Sequence, residues 1–533
     1  MCKLKRSMQN NNAFYIPIVM ATCIATGLFI GSFLGTKQPI TMGISSEKAR
    51  KIEDILQILD QRYVDSIDVT SVYETAINDM LHKLDPHSNY ISATEVQLAE
   101  ESIRGEFKGI GVRFFIIRDT LCVTNVLRDS PSERAGLESG DKIIQIDTAN
   151  VASVGISSEE VMKKLKGPEG TKVDLKILRK GTIINKTVTR GAIFVESVVA
   201  PYLIRKDIGY VKINSFSVNT SKEFRFAMTR LLEQGMKKII IDLRNNGGGV
   251  LQCATDIADE FIEAGKLLLV TQGLHEARSE YRATNRGVLE DIDVAVLINS
   301  QSASASEILA GALQDNDKGT IIGRRSFGKG LVQEDRQLND GSVLRLTIAR
   351  YYTPTGRCIQ REYNGDFHDY TTEALDRYEN GEMYELDSSS FVNNEKFTTP
   401  GGKTLYGGGG IFPDIFVPLD SIGFTNYFNQ LRYSDAFICF AFDYVENNRS
   451  RWASPVDYAK SFSISDGILR QFLNYAAEHN AVPVDQKSIQ TSRKLIAKIL
   501  KAEIANQIWM EDGYYQVMNE TDKEVGEALQ VLK

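Results

Sequence analysis

The pattern of apolar residues predicts an α/β core in the middle of the chain. Residues 208–216 alternate like a strand, and residues 221–234 have the pattern of an amphipathic helix. Residues 237–250 then predict a buried strand that ends in a glycine turn. A second apolar run, residues 294–298, predicts another buried strand, and residues 307–314 predict the helix after it. Strand–helix–strand units of this kind build sheets whose strand ends point at one site.

An uncharged apolar run covers residues 13–36 near the amino terminus. A run of about 20 apolar residues is long enough to cross a bilayer as a helix. Lys3, Lys5 and Arg6 precede it, and basic flanks stay cytoplasmic, so we expect residues 1–12 inside and the rest outside. A cleaved signal peptide is the alternative, and either one exports the chain.

Two further regions have patterns of their own. Residues 105–191 contain glycine-rich turns between short apolar runs, which predicts a compact β-rich unit. Beyond about residue 425 the composition becomes helical, and residues 487–510 carry apolar side chains at helical spacing. This terminal region is predicted to be a packed helical cap, with dimerisation or substrate handling as alternatives.

The predicted fold class is therefore mixed α/β and multidomain, because one core rarely exceeds about 250–300 residues and the chain has 533. A β-rich domain is inserted beside an α/β core. The predicted segments are 1–12, cytoplasmic; 13–36, transmembrane anchor or signal; 37–104, helical; 105–191, β-rich; 192–424, α/β core; and 425–533, helical.

Composition excludes several classes of protein. The net charge of −7 gives no support to nucleic-acid binding. Six cysteines are scattered without CxxC pairs, and five histidines leave little room for a histidine-based metal site, so we expect neither a metal nor a cofactor. The glycine run 247–249 is not followed by G-K-[ST], which argues against a Walker-type nucleotide site.

The candidate chemistry lies between residues 300 and 333. The cluster S-A-S-A-S-E-I, residues 302–308, falls on the predicted strand-to-helix turn, where a side chain is exposed and backbone N–H groups point outward. Lys329 follows in the turn F-G-K-G. A serine on such a turn and a lysine among glycines are the parts of a Ser/Lys nucleophilic site, with lysine as the general base.

These paired motifs resemble the carboxy-terminal processing peptidases, or tail-specific proteases, of family S41. The resemblance covers about residues 45–420. It implies that Ser304 is the nucleophile, Lys329 the base and Gln333 the residue that orients the base. It also implies an oxyanion hole made by the N–H groups of Gly249 and Ala305, with Gly248 as the fallback for Gly249.

The β-rich unit resembles a PDZ domain. Its G-I-G-V segment, Gly109, Ile110, Gly111 and Val112, stands where PDZ domains carry the loop that binds a terminal carboxylate. Residues 157–165 would form the other wall of the groove. Backbone N–H groups in such a loop capture the carboxylate while the peptide adds a strand to the sheet edge. Protein substrates are therefore expected to be held by their carboxy-terminal tails.

Lysine needs a lowered pKa to act as a base near neutral pH, because its ordinary value is about 10.4. Burial between Phe327 and Leu331 would lower it, and the neutral amide of Gln333 adds no opposing charge. Arg324 and Arg325 would lower it further if they lie close by.

The expected protein is a peptidase of the cell envelope, anchored in the inner membrane with its catalytic part in the periplasm, or released after signal cleavage. Two alternative functions stay open. One is a catalytically inactive PDZ scaffold that binds tails of envelope proteins. Another is an exported hydrolase of non-peptide esters. Within the site, His87 in L-D-P-H-S-N-Y is a weaker candidate base, and the serine cluster is also a good helix cap. A homo-oligomer is possible.

Overall fold

The computed structural model describes residues 46–385, 395–446 and 448–533. The predicted membrane or signal segment, residues 13–36, lies outside these ranges. Within them, no helix combines the length and the apolar character that crossing a membrane requires. Export and anchoring therefore stay predictions.

The chain forms two compact units, Met1–Ala76 and Ile77–Lys533. The described part of the first contains helix α1, Ser46–Arg62, and the start of helix α2, Val69–Leu81. Leu56 and Leu59 of α1 are half-buried, whereas Ile52 and Ile55 are exposed. After α2 come strand β1, Asn89–Ile91, and helix α3, Val96–Arg104.

The β-rich unit is a six-stranded antiparallel sheet in the order β3-β4-β5-β7-β8, with β6 paired to β5. A two-stranded ribbon, β2 with β9, joins it to the rest of the chain. The elements are β2 Glu106–Gly109, β3 Val112–Ile117, β4 Thr120–Val126, α4 Pro131–Arg134, β5 Lys142–Ile146, β6 Ala149–Asn150, α5 Ser158–Leu165, β7 Lys172–Arg179, β8 Thr182–Thr189 and β9 Gly191–Phe194. Strand β3 is a sheet edge, directly after the G-I-G-V loop.

The α/β core is a six-stranded sheet in the order β10-β11-β12-β15-β16-β21, parallel except for β10. Its central strands are buried on both faces, which explains their continuous apolar runs. Its elements are β10 Val198–Leu203, β11 Ile208–Ile213, α6 Thr220–Glu233, β12 Lys238–Asp242, α7 Leu251–Asp259, β15 Asp293–Ile298, α8 Ala305–Asp315, β16 Gly319–Gly323 and β21 Ile415–Phe416.

A second sheet, in the order β1-β18-β13-β14 with β17 paired to β18, stands beside the core. Helix α9 and a small hairpin, β19 with β20, follow it in the chain. The remaining bounds are β13 Leu267–Gln272, β14 Ser279–Arg282, β17 Leu331–Gln337, β18 Val343–Tyr352, α9 Phe367–Glu379, β19 Lys396–Thr398 and β20 Thr404–Tyr406.

The carboxy-terminal region is helical, as its composition indicates, and has an aromatic-rich core of its own. Its helices are α10 Asn426–Tyr433, α11 Ala436–Glu446, α12 Pro455–Ser461, α13 Asp466–His479, α14 Gln486–Trp509, α15 Glu511–Met518 and α16 Lys523–Val531. Helix α16 packs on the core sheet, where Val525 and Ala528 share an apolar cluster with Ile240 and Leu297.

The same region also contacts the β-rich unit. Arg118 forms an ion pair with Asp443 of α11 at 2.8 Å, and Cys122 packs in one apolar cluster with Cys439 and Phe442. The carboxy-terminal helices therefore contact both the β-rich unit and the core sheet. They are an integral layer of the second unit, which favours the prediction of a packed cap.

Candidate active site

Three turns meet at one edge of the core sheet because they follow three neighbouring parallel strands. Strand β12 ends at Asp242, opposite Leu297 of β15. Strand β15 ends at Ile298, opposite Gly323 of β16. The glycine turn, residues 243–250, the serine turn, residues 299–304, and the lysine turn, residues 324–330, therefore leave the sheet side by side. Such an edge is where open α/β sheets bind ligands.

Ser304 occupies a strained backbone position at the start of α8. Its φ of 55° and ψ of −115° lie outside the regions that ordinary residues adopt. Strain of this kind costs about 1–3 kcal/mol and persists only where the surrounding structure imposes it. The conformation turns the chain sharply from strand into helix and leaves Ser304 partly exposed.

The two neighbouring serines are fully buried, and each hydroxyl is committed to the glycine turn. Ser302 Oγ donates to Leu243 O at 2.9 Å, and Ser306 Oγ donates to Asn246 O at 2.9 Å. They therefore fasten the serine turn to the glycine turn, and Ser304 is the member of the cluster that reaches solvent.

A buried carboxylate joins the serine turn to the lysine turn. Glu307, in the first turn of α8, accepts from Ser304 N at 2.8 Å and from Lys329 N at 2.9 Å, both on Oε2. Its Oε1 accepts from Gly328 N at 2.7 Å and Ser326 Oγ at 2.5 Å. Burial raises the pKa of the Glu307 carboxyl, and these four donors oppose that shift.

Tyr351 provides a second link between the same two turns. The buried hydroxyl contacts the carbonyl oxygen of Lys329 and lies 3.2 Å from that of Ser304. Both the N–H and the C=O groups of Ser304 and Lys329 are thus held by shared partners. The relative position of the two residues is set by their backbones.

The Lys329 amine is half-buried and donates to Gln333 Oε1 at 2.9 Å. Gln333 Nε2 in turn donates to His87 O at 2.6 Å, which fixes the direction of the amide oxygen. Burial lowers the pKa of Lys329, with a further lowering from the charge of Arg345, while the carboxylates of Glu307 and Asp85 oppose it. A lysine in this environment is poised to lose its proton more readily than one in water.

The expected influence of Arg324 and Arg325 on this pKa is wrong, because both guanidinium groups are engaged elsewhere. Arg324 pairs with Glu524 at 2.7 Å and Arg325 with Glu382 at 2.6 Å. The arginine that lowers the pKa of Lys329 is Arg345, which comes from strand β18. The sequence does not predict that Arg345 lies near Lys329, since this proximity depends on how β17 and β18 align.

His87 lies on the side of Gln333. Its Nε2 contacts Tyr370 OH at 2.9 Å, and its ring packs near Phe327 and Tyr370. Burial, together with the charge of Lys329, lowers the pKa of His87 to about 3. Among the described residues no hydrogen bond joins the Ser304 hydroxyl to His87 or to the Lys329 amine. Because Tyr370 already engages Nε2 of His87, the geometry favours a packing and orienting role for this histidine over that of a base.

The glycine turn approaches the serine turn closely. A Cβ on Gly248 would lie 2.7 Å from Ser304 Cβ and 2.9 Å from Ala305 N, so only glycine fits there. The Gly248 N–H already donates to Asn246 Oδ1 at 2.9 Å. The N–H groups of Gly249 and Ala305 have no acceptor within the part of the chain that the structure describes. Both N–H groups therefore lack a partner, the one directly after Ser304 and the other directly after Gly248, the glycine that approaches Ser304.

Asn246 holds the glycine turn in place. Its side chain donates to Ile213 O at 2.8 Å as well as accepting from Gly248 N. Its own carbonyl accepts from Ala303 N at 3.0 Å. One asparagine thus connects strand β11, the glycines and the serine turn.

Two arginines from the segment after residue 360 support the lysine turn. Arg377 of α9 donates to Ser326 O at 2.7 Å and to Phe327 O at 3.3 Å. Arg361 stacks on Phe327, with its guanidinium carbon 4.1 Å from the ring centre.

The G-I-G-V loop joins β2 to the edge strand β3. Gly111 has a φ of 80°, and a Cβ there would lie 2.3 Å from Ser130 Cβ. Gly109 pairs with Gly191 in the ribbon, Val112 begins β3, and Ile110 is buried with 2% of its surface exposed. Within the described ranges the N–H groups of Ile110 and Gly111 have no acceptor. These two N–H groups therefore have no partner within the described chain, and the loop residues Gly109, Ile110 and Gly111 are all buried.

The sequence patterns did not predict the roles of three residues in this site: Glu307, Tyr351 and Asn246. The serine cluster and Glu307 together have the pattern of a helix cap, and Glu307 does lie in the first turn of α8. Its position directly after the serine cluster was a usable signal. For Tyr351 and Asn246 the sequence carries no such signal, because their roles depend on partners far away in the sequence.

Across the described residues, no cluster of His, Cys, Asp and Glu side chains is arranged to bind a metal.

Comparison with protein-family models gives four matches. Peptidase family S41 matches residues 207–368, and the PDZ domain model matches residues 109–189. The activating protease CtpB N-terminal domain matches residues 35–95, and a family of unknown function, DUF8443, matches residues 427–510.

Individual known proteins are also similar to this chain. A probable CtpA-like serine protease of Staphylococcus saprophyticus is 32% identical over 363 residues, covering 67% of this chain and 72% of that protein. Its counterpart in Staphylococcus aureus is 33% identical over 351 residues, covering 65% and 70%. The solved photosystem II D1 C-terminal processing protease is 28% identical, covers 60% of this chain and 91% of that one, and superposes with a TM-score of 0.34. This chain belongs to peptidase family S41, as a carboxy-terminal processing peptidase with a PDZ domain.

Proposed function

We propose that this protein is an exported serine endopeptidase that binds substrates by their carboxy-terminal tails and cleaves them with a Ser304/Lys329 dyad. The observation that carries the proposal is the pair of shared partners, Glu307 and Tyr351, which hold the backbones of Ser304 and Lys329 beside each other. A scaffold that only binds tails needs no such arrangement.

Catalysis would begin with neutral Lys329. Its amine takes the Ser304 Oγ proton as that oxygen attacks the scissile carbonyl carbon. The carbonyl oxygen becomes an oxyanion, which accepts hydrogen bonds from the N–H groups of Gly249 and Ala305. The protonated amine of Lys329 then gives its proton to the leaving nitrogen, and an acyl-enzyme on Ser304 remains.

Hydrolysis of the acyl-enzyme repeats these roles with water. Lys329 removes a proton from the water that attacks the ester carbonyl, and returns a proton to Ser304 Oγ as it leaves. Gln333 keeps the amine directed, and its neutral amide does not raise the pKa of Lys329 as a carboxylate would.

Tail binding is assigned to the groove between β3 and α5. Strand β3 is at the edge of its sheet, where a peptide could add a strand, and the N–H groups of Ile110 and Gly111 have no acceptor in the described chain. The groove wall is apolar, since Val112 and Phe114 pack against the same core as Val161. An apolar terminal side chain is the chemistry that fits it.

The nucleophile and the base can be tested together. The part of the chain from about residue 40 is treated with a fluorophosphonate probe, and cleavage of a model protein with an apolar unstructured tail is followed in the same samples. We expect labelling on Ser304 and tail cleavage, both lost in Ser304→Ala and in Lys329→Ala. Ser300→Ala, in the same turn, serves as the matched control.

Two outcomes would overturn parts of the proposal. Cleavage at the wild-type rate by Ser304→Ala would exclude Ser304 as the nucleophile. A folded chain that binds tail peptides but shows neither labelling nor cleavage would establish the inactive-scaffold alternative instead.

A further inference from the structure

One carboxylate from the end of the chain joins the starts of two active-site turns. Glu524, the second residue of α16, receives Arg324 Nη1 on Oε1 at 2.7 Å and Arg244 Nη1 on Oε2 at 3.2 Å. Glu524 is buried, with 9% of its surface exposed. Residue 524 lies outside the S41 match, which covers residues 207–368, and outside the PDZ match.

Each of the two arginines lies just after the end of a parallel strand, at the start of an active-site turn. Arg244 is the second residue after β12 and leads into the glycine turn, which ends in Gly248 and Gly249. Arg324 directly follows β16 and leads into the lysine turn. The Glu524 carboxylate therefore spans from the carboxyl end of one parallel strand to that of another, past β15 between them.

The remaining contacts keep both arginines in fixed orientations. Arg244 also binds Asp242 at 2.6 Å and Asp522 at 2.8 Å. Arg324 also donates to Val417 O at 3.0 Å. Asp242 itself accepts from Tyr210 OH at 2.8 Å, inside the core of the sheet. In these surroundings little water is present to replace a lost partner, so the geometry of each arginine depends on its carboxylates.

Helix α16 itself is firmly seated. Val525 and Ala528, on the side of α16 that faces the sheet, are fully buried among Ile240 and Leu297 of β12 and β15. The helix thus presents Glu524 from a rigid element to two loops that must hold sub-ångström geometry. A contact from outside these loops helps to fix their positions, and a displacement of about 1 Å can lower the rate about 100-fold.

We propose that Glu524 is a positioning residue for catalysis. Through Arg244 and Arg324 it sets the distance between the glycine turn and the lysine turn. It touches neither substrate nor reacting atoms. This inference rests on the proposed peptidase function. It assigns to the carboxy-terminal segment a part in the rate of the chemical step, beyond covering the sheet.

The test is Glu524→Gln in the soluble part of the chain, assayed with the tailed model protein. An amide keeps the size but turns donor hydrogens toward one of the two arginines, which breaks one half of the bridge. We expect kcat to fall about 10- to 100-fold per folded molecule, with KM and the Kd for a tail peptide changed less than twofold. Glu524→Asp should recover part of kcat, because it restores the charge at a shorter reach.

Glu527→Gln is the matched control, on the same helix, where the carboxylate contacts Gln530 at 3.2 Å. It should leave kcat unchanged. A purely structural role of Glu524 would appear as a lower Tm with unaltered kcat per folded molecule, and that result would overturn the inference. The rate of Ser304 labelling by the fluorophosphonate probe gives a second readout without tail binding.

A double-mutant cycle adds a direct test of the bridge. If Glu524 acts through Arg324, then Glu524→Gln and Arg324→Gln together should lower kcat much less than the product of their separate effects. Independent, multiplicative effects would contradict the mechanism. Wild-type cleavage that is lost in Ser304→Ala but kept in Glu524→Gln would refute the positioning role alone. A wild-type chain that cleaves nothing would refute the proposed function and this inference with it.

Discussion

The backbone N–H groups of Ser304 and Lys329 donate to the same oxygen, Oε2 of Glu307, at 2.8 and 2.9 Å. A serine on one turn and a lysine on another, 25 residues apart in the numbering, thus share a single buried anchor. Four donors, three of them backbone N–H groups, bind this carboxylate. The shared anchor fixes the spacing of the two turns, while its charge raises the pKa of Lys329 against the lowering by burial.

Glu307→Gln should therefore impair both turns at once. The amide offers one acceptor where the carboxylate offers two, and its NH₂ group faces donors of the serine and lysine turns. We expect kcat to fall about 100-fold from misplaced reacting groups and the free energy of unfolding to fall by about 1–3 kcal/mol. Cleavage kinetics and thermal unfolding measure the two effects. Glu263→Gln, at a side chain that is 71% exposed, should change neither.

The pH dependence of cleavage should report Lys329. Because burial and Arg345 lower its pKa, the neutral amine is present at lower pH than for a free lysine. Activity should rise with pH through that lowered pKa and be lost as the pH falls below it. Arg345→Gln removes a positive charge and frees Asp335, its partner at 2.7 Å, so the acid limb should move to higher pH.

The control for this shift is Arg336→Gln, at an exposed arginine on the same sheet. Its acid limb should coincide with that of the wild type. An unchanged limb in Arg345→Gln would mean that a group other than Lys329 controls the rate.

Gln333→Glu tests the need for a neutral orienting group. The new carboxylate would lie in the place of the amide oxygen that is now 2.9 Å from Lys329 Nζ, and would stabilise the charged ammonium. We expect the acid limb to move upward, with about a tenfold loss of rate at neutral pH for each unit of pKa. Activity that recovers at high pH would distinguish this effect from misfolding. Equal loss at every pH would contradict it.

Gly111→Ala tests tail docking separately from chemistry. The new Cβ would lie 2.3 Å from Ser130 Cβ, at a backbone φ of 80°, and would distort the loop. The Kd for a tail peptide and the KM for the tailed substrate should both rise more than tenfold, about 1.4 kcal/mol. Labelling of Ser304 should be unaffected. Gly155→Ala, with a similar φ of 66° and nothing within 4 Å of its Cβ, provides the matched control. Equal tail affinity in both variants would remove the G-I-G-V loop from the docking site.

The sequence by itself determined the parts of this protein that are local in the chain. Apolar periodicity was sufficient to predict the buried strands β12 and β15 and helix α8, because strand and helix periods are set by neighbours a few residues away. The motifs around Ser304 and Lys329 were recognisable for the same reason. Each is a short turn whose glycines and small residues are needed by its own backbone.

Only the tertiary structure decided how these parts meet. Glu307 and Tyr351 connect two turns, Arg345 replaces the expected Arg324 and Arg325 near Lys329, and Glu524 reaches the sheet edge from a helix 200 residues away from Arg324. Such pairings depend on strand order and on which face a distant helix covers. Any acidic or basic side chain satisfies the local pattern equally well, so the choice of partner is made by packing.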